Sequence, residues 1–464
     1  MAAAVYAAAA ISYYKWMVEF MNNTIDMTRG RPIPLLLKFA YPIMLTSILQ
    51  QLYSLADSMI VGRFLGISAF AAVGAAGFIA WLPQNMLLGL THGFSIVLSQ
   101  QFGAGDKAGF KLANRRAAIL SAGFTVFFTI VLIIFRDKLL ALLKTPAELM
   151  EYARDYLLII YLGLIFHGMF NWAASALRAM GDSKTPMIAM FASSAINIAL
   201  DIVLIKLIPL GVAGVALATV MAQLASLCIC LYKLHSAYPE FPPLAKAIPD
   251  GSIGQLLKMG LPPMFRDGVI AVGGLYVQRV INTFGVAFVA GMTAANCYFS
   301  ILSMLGGSLE GAVATYCGQN TGANRNDRVR SGVRSGALLT LIFACITILA
   351  AYFSAPYLIR LITGDSAAEA LKTGIFALRC SACFLPALHL LFLYRAALQG
   401  MGDAVTPMLS GFMELGMRVV CVLALTEYIG PVAACIADGL GWLAAAILLM
   451  AKYLFTLQRF GSET

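Results

Sequence analysis

Two aspartates stand where aspartates are costly. Asp57 lies in QQLYSLADSMIVGRFLG and Asp201 in SSAINIALDIVLI, both inside long apolar stretches. A charged side chain at a bilayer centre costs at least ~2.5–3.5 kcal/mol, so each needs a partner or a use. Asn197 precedes Asp201 by four residues, which puts the two side chains on one helical face. A carboxylate with an amide carbonyl is a hard-oxygen set suited to a small cation. An acid in such surroundings is equally a proton carrier. Thr219, in GVAGVALAT, and Asn171 are further oxygen donors that can complete the cluster. Residues of that kind also serve as glue between membrane helices. Gln50, Tyr53 and Asp57 recur at spacings of three and four, so one face carries an amide, an aromatic hydroxyl and the acid. Gln50 and Tyr53 are therefore candidates to hold an organic ligand next to an ion site.

A second group of charges reads as structural. Glu414 and Arg418 are four apart and pair on one face. Asp438 can answer a neighbouring arginine, whereas Asp267, beside Arg266, and Glu310 have no evident partner in the sequence. His92, His167 and His389 are single histidines in apolar segments, where packing roles are commoner than chemistry. The nine cysteines, including the close pairs Cys228/Cys230 and Cys380/Cys383, have no histidines at zinc spacing and read as small packing residues. No HExxH, GxSxG or Walker A pattern is present, and GAGDKAG lacks the context of a dinucleotide loop. The chain is not expected to be an enzyme or to bind a cofactor.

The elements that must position these residues are membrane helices. The chain is 60% apolar and only 12% charged, against roughly 25% charged in soluble domains. Apolar segments long enough to cross ~30 Å of hydrocarbon as helices recur throughout. Twelve spans are predicted: 34–61, 68–101, 112–135, 151–178, 184–208 and 211–234, then 254–284, 287–319, 328–356, 366–400, 404–428 and 431–456. The expected division is an N-terminal extension over 1–30, a first lobe over 31–234, a cytoplasmic linker over 235–253, a second lobe over 254–457 and a tail over 458–464. Residues 1–20 look weakly like a signal peptide without a basic start, and Met21 suggests that what precedes it is dispensable.

The two lobes are copies. ALRAMGDSKTPM at 176–187 returns as ALQGMGDAVTPM at 397–408, identical at eight of twelve positions. Lys38 and Pro42 in KFAYP match Lys258 and Pro262 in KMGLP, and Gly103-Ala104 after Gln101 matches Gly322-Ala323 after Gln319. A duplicated membrane unit commonly places its working site where the halves meet. In each MGD…TPM loop, Gly should end one helix, Asp cap the next and Pro occupy its first turn. Pro42, Pro83, Pro262 and Pro386, with Gly89, Gly93 and Gly168, are expected bending points.

The net charge of +10 is a matter of topology. Nineteen of the 32 lysines and arginines fall on the side of the termini and nine on the other; Arg266, Arg279, Arg395 and Arg418 lie in spans. That excess places both termini in the cytoplasm of a multi-pass inner or plasma membrane protein. It calls for contact with anionic membrane lipids and for no nucleic acid.

DMTRGRPIPLLLKFAYP, QQLYSLADSMIVGRFLG, LSQQFGAGD, ALRAMGDSKTP, NIALD, GVAGVALAT, GQNTGA and ALQGMGDAVTP together resemble the multidrug and toxic compound extrusion (MATE) family, from about residue 26 to 456. The resemblance implies an all-α fold of twelve helices in two pseudo-symmetric six-helix lobes around a central cavity. It implies export of drug-like, often cationic, compounds by antiport against Na⁺ or H⁺, in a monomer. It also implies that Asp57, Asn171, Asn197, Asp201 and Thr219 form the coupling site, with Asp57, Asn197 and Asp201 as the ligands if the ion is Na⁺. One branch of the family carries essential acids on helices seven and ten. Helix ten here, CFLPALHLLFLYRAALQG, has none, so the chain is nearer the branch that relies on the first lobe. The competing expectation is a flippase for a lipid-linked precursor, disfavoured by the few basic residues within the spans.

The repeat predicts that residues 103–111 and 322–330 lie on one side, and the charge count predicts the cytoplasmic side. Cysteines placed at Lys107 and Arg328 should resist an impermeant thiol reagent added outside intact cells. Labelling of either above the wild-type background would overturn this topology.

Overall fold

The computed structural model describes residues 24–142, 146–237, 251–363 and 368–462. Most of the expected extension and linker, together with Lys15, Lys144 and Lys246, lies outside the described residues. The elements are α1 (Pro32–Phe64), α2 (Ile67–Gly103), α3 (Lys107–Leu142), α4 (Ala147–Ala179), α5 (Lys184–Ile202), α6 (Gly211–Ala237), α7 (Gly251–Ile281), α8 (Val286–Gly322), α9 (Asn326–Thr363), α10 (Ala368–Cys383), α11 (Leu385–Gly400), α12 (Val405–Ile429) and α13 (Val432–Ser462). Ten of these helices are long and apolar enough to cross a membrane. Helices α10 and α11, bent by 44° to each other, form an eleventh span. The twelfth is α7, whose Lys258, Arg266, Asp267 and Arg279 reduce its apolar character. The result is twelve membrane helices in two lobes, α1–α6 and α7–α13.

The duplication is visible in the backbone. Positive-φ residues fall into pairs at nearly constant offset: Gly66/Gly285, Gly105/Asn324, Gly181/Gly402 and Gly211/Gly430. At the second pair one lobe uses asparagine, the non-glycine residue that best tolerates the left-handed region. The MGD loops fold alike. Gly181 and Gly402 turn the chain at φ +89° and +94°. The Asp182 carboxylate accepts from the backbone N–H groups of Lys184 (3.1 Å) and Thr185 (2.9 Å), and Asp403 accepts from that of Thr406 (3.0 Å). Both aspartates also accept the threonine hydroxyl, at 2.6 and 2.7 Å. The capping expected from the sequence is thus present in both copies.

The prolines behave differently from expectation. Helices α1, α2 and α7 run on through Pro42, Pro83 and Pro262. Only Pro386 lies at a break: Phe384 separates α10 from α11, and Pro386 sits in the first turn of α11, where its missing N–H costs nothing. The glycines act in packing. A Cβ on Gly93 would fall 2.1 Å from the Met259 carbonyl oxygen, and one on Gly168 would fall 2.3 Å from the Thr125 hydroxyl. A feature absent from the sequence reading is the π-helical turn Val203–Leu207, directly after Asp201.

The lobes meet through α1 against α8 and through α2 against α7 and α8. At the end bearing the α2–α3 and α8–α9 loops they are locked reciprocally. Gly103 of the first lobe abuts the Gln319 carbonyl, and Gly322 of the second abuts the Gln100 carbonyl; a Cβ on either glycine would come within 1.9 Å of that oxygen. Gln100 Nε2 donates to the Gly400 carbonyl (3.0 Å), and Gln319 Nε2 donates to the Ala179 carbonyl (2.8 Å). The true counterpart of Gln319 is therefore Gln100, one residue before the Gln101 chosen by sequence matching.

Residues 24–31 lie across this closed end as a strap, rather than as part of a loose extension. Ile25 N donates to the Gly181 carbonyl (3.1 Å) of the first lobe, and Met27 N to Gln319 Oε1 (3.0 Å) of the second. Asn320 and Arg328 donate to the Met27 carbonyl, Arg325 to that of Thr28, and Arg328 also to that of Gly30. Met27 is completely buried. Both inter-lobe loops thus lie at one end, as the repeat requires.

Replacing Gly103 or Gly322 with valine should open this end, because a side chain there displaces the opposing backbone at a cost of about 1–3 kcal/mol. Spin labels at the exposed positions Lys107 and Arg330 should show a longer distance distribution in either variant than in the parent. An unchanged distribution in both would show that the closed end does not depend on this contact.

Candidate functional site

The first lobe holds a polar centre whose acids have no lysine or arginine partner among the described residues. Asp57 is contributed by α1 and Asp201 by the last turn of α5, and the two carboxyl groups are close electrostatic neighbours. Asp201 and Asn197 are fully buried. Asp57 Oδ1, both carboxylate oxygens of Asp201, and the amide oxygen and nitrogen of Asn197 are buried without a hydrogen-bond donor or acceptor among the described residues. Such groups are rarely left unmatched, since each forfeits about 1–3 kcal/mol. Two neighbouring carboxyl groups are stable only when they share a proton or a cation. The oxygens available are hard donors with two acids among them, which fits a proton or a monovalent ion. No cluster of three or more acids, histidines and cysteines suited to a metal exists among the described residues.

Beside this centre lies a cavity of about 380 Å³ enclosed by α1, α2, α4, α5 and α6. Gln50, Tyr53 and Asp57 all line it, as their shared helical face requires. Thr219 lines it too: its hydroxyl lies 3.4 Å from the Tyr53 hydroxyl and donates back to the Val215 carbonyl. Asn171 is in the wall, but its amide nitrogen is 2.9 Å from His167 Nε2, so its side chain is engaged with that histidine. Asn197 and Asp201 sit behind the wall. Asp57 thus touches the cavity on one side and Asp201 on the other.

The wall includes residues that the sequence reading passed over: Trp81, Gln84, Tyr156, Met190 and Gln223. A signal for some existed. Tyr156, Ile160, His167 and Asn171 recur on one stripe of α4, and Thr219, Gln223 and Ser226 on one stripe of α6. Among the described residues no lysine or arginine lines the cavity, and Asp57 is its only acid. Gln50 also lines a second cavity of about 380 Å³ between the lobes, with Ser47, Gln51, Ser303 and Gly307. The first-lobe cavity and the space between the lobes therefore share this residue as a common wall.

The second lobe differs. Glu414 is bonded by Arg395 of α11 at 2.8 Å, with Arg418 further away at 3.8 Å. Arg395 is thus a closer partner than the Arg418 expected from spacing. Arg418 turns to Asp438 (2.7 Å), and its Nη1 donates to the Ile270 carbonyl (3.2 Å). Arg266 pairs with the adjacent Asp267 at 2.8 Å, supplying the partner that the sequence did not reveal. Glu414, Asp438 and Asp267 are matched by arginines, whereas Asp57, Asp201 and Glu310 have no ion pair among the described residues.

Comparisons with known proteins agree with this architecture. The MatE family model matches residues 42–203 and 267–423, more than half of the chain. The chain is 29% identical over 379 residues to the probable multidrug resistance protein YpnP of Bacillus subtilis, covering 81% of this chain and 84% of that one. It is 25% identical to the probable multidrug resistance protein NorM of Thermotoga maritima, covering 82% of each. Its fold is similar to that of a MOP superfamily transporter from Pyrococcus furiosus, with a TM-score of 0.87 at 24% identity over 95% of this chain and 98% of that one. A MATE family multidrug resistance transporter solved in an outward-facing conformation is equally similar, with a TM-score of 0.87 over 95% and 98% of the two chains. Matched across both lobes by the family model, this chain belongs to the MATE family of membrane transporters.

Proposed function

We propose that the chain exports cationic, aromatic organic compounds in exchange for H⁺ or Na⁺, with Asp57 and Asp201 as the coupling acids. The observation that carries this reading is the first-lobe cavity, where among the described residues Asp57 is the only acid, no lysine or arginine is present, and Trp81, Tyr53 and Tyr156 offer aromatic faces. A cationic compound there is attracted to the same carboxylate that a proton or Na⁺ would neutralise. Each ligand then weakens the other, and that mutual coupling is what exchange requires. A flippase handling an anionic head group would instead need cations in the wall.

The rest of the cycle follows from where the groups sit. Ion binding between Asp57 and Asp201 changes the charge on α1, and the Tyr53–Thr219 contact conveys the change to the cavity wall. Alternating access then requires the closed end to part. The reciprocal Gln100 and Gln319 bonds and the strap must release together, because Gln319 accepts from the strap and donates to the first lobe. On the topology assigned from basic residues, this closed end faces the cytoplasm and the compound leaves at the opposite side.

Vesicle transport of a fluorescent aromatic cation, driven by a Na⁺ or an H⁺ gradient imposed separately, tests the reading. One gradient alone should drive transport, and Asp57→Asn or Asp201→Asn should each abolish that drive at normal expression. Glu414→Gln should mainly lower thermal stability, by about 3–5 kcal/mol, since it leaves Arg395 and Arg418 buried without their acid. Gradient-driven transport that survives in Asp57→Asn, or is lost in a stable Glu414→Gln protein, would move the coupling site to the second lobe.

Coupling can also be read at equilibrium. The affinity of the purified protein for the compound should fall as the coupling ion is raised, and the same titration on Asp57→Asn should be flat. A wild-type affinity indifferent to both Na⁺ and pH would reject antiport.

A further inference from the structure

A cavity of about 830 Å³ lies in the second lobe, bounded by α9, α11 and α13 near the closed end. Its floor is apolar and aromatic: Val333 and Tyr453 are buried, and the Tyr394 and Tyr453 rings are 5.4 Å apart. Leu457 forms part of the wall, and Arg330 and Arg334, one turn apart on α9, stand exposed at the rim. No carboxylate lines it among the described residues.

The four arginines in this part of the chain divide into two kinds. Arg325 and Arg328 are committed to the strap carbonyls. Arg330 donates one bond to the Leu457 carbonyl at 2.8 Å, and neither Arg330 nor Arg334 has an ion pair among the described residues. Two unpaired guanidinium groups one turn apart are suited to a phosphate, which they can bond in forked fashion. The apolar groove below them continues onto a surface where Leu338 and Leu341 of α9 and Phe455 of α13 are exposed. In a membrane helix such exposed leucines and phenylalanines meet acyl chains. A soluble anion would use the arginines and leave the groove unexplained.

We propose that this groove binds one anionic glycerophospholipid, with its phosphate between Arg330 and Arg334 and an acyl chain over Val333 and Tyr453. Such a lipid would brace α9, whose first turns hold the strap, against α13. The proposal does not depend on which ion or compound the protein moves.

The test uses the purified full chain in uncharged detergent, titrated with dioleoylphosphatidylglycerol, dioleoylphosphatidylcholine or inorganic phosphate. The thermal unfolding midpoint is followed throughout. Phosphatidylglycerol should raise the midpoint in a saturable way, and the other two should not. In the double variant Arg330→Gln/Arg334→Gln the apparent affinity should weaken roughly 25-fold, from about 1 kcal/mol per surface cation. The double variant Lys111→Gln/Arg115→Gln removes the equivalent cations of the first lobe and should keep the response. Ala337→Trp fills the groove without changing charge, and should abolish the response even if the arginine variant proves too unstable to measure. An equal response to phosphatidylcholine would overturn the head-group assignment, and an equal response to phosphate would make this a soluble-anion site. Equal losses in the two charge variants, or full binding in Ala337→Trp, would overturn the groove.

Discussion

Two neighbouring carboxyl groups set among apolar helices, neither paired with a lysine or arginine among the described residues, are the constraint around which this molecule is arranged. A bilayer penalises charge wherever it is unmatched. The second lobe meets that constraint by matching: Arg395, Arg418 and Arg266 answer Glu414, Asp438 and Asp267. The first lobe leaves it open at Asp57 and Asp201. A matched acid has little reason to exchange its partner, whereas an unmatched pair gains by taking up an ion and loses by releasing it. On the proposed function, the same fold thus provides a half with matched acids and a half whose acids answer an ion. The π-helical turn after Asp201 belongs with the latter, because such turns interrupt the regular helical ladder and recur near functional sites.

Duplication has also shaped how the lobes close. The contact between them is made twice by the same device, a glycine beneath a glutamine carbonyl, with each glutamine side chain reaching a helix end in the other lobe. Such an interface tolerates no side chain at either glycine. Beyond the loop end it runs along the crossings of α1 with α8 and of α2 with α7 and α8. A loop-end contact built from backbone can separate without exposing a large apolar face, which is what a moving pair of lobes needs.

Much of this was legible in the sequence, for reasons that differ by feature. The lobes and their number of helices follow from long apolar segments and from the MGD…TPM echo, because both are local patterns. The shared face of Gln50, Tyr53 and Asp57 follows from helical spacing, and the structure places all three in one wall. What escaped was set by contacts between distant segments. Arg395 and Glu414 are 19 residues apart on different helices, so spacing suggested Arg418 in place of the nearer partner. The engagement of Asn171 with His167, by contrast, is a four-residue pair that local reasoning had within reach. Gly93 and Gly168 also serve close helix packing, which could not be read from the sequence because the neighbouring helix was not known.

The strap has a consequence for how this chain can vary. Arg325, Arg328 and Asn320 grip it through the carbonyls of Met27, Thr28 and Gly30, and Gln319 accepts from the amide of Met27. Every residue type but proline offers both atoms, so the strap is constrained mainly in its length and path, at the buried Ile25 and Met27, and at Gly30 with its positive φ. Drift should therefore accumulate at an exposed strap position such as Arg29 without loosening the grip. An insertion or deletion of a single residue between Ile25 and Gly30 would shift every carbonyl out of register at once.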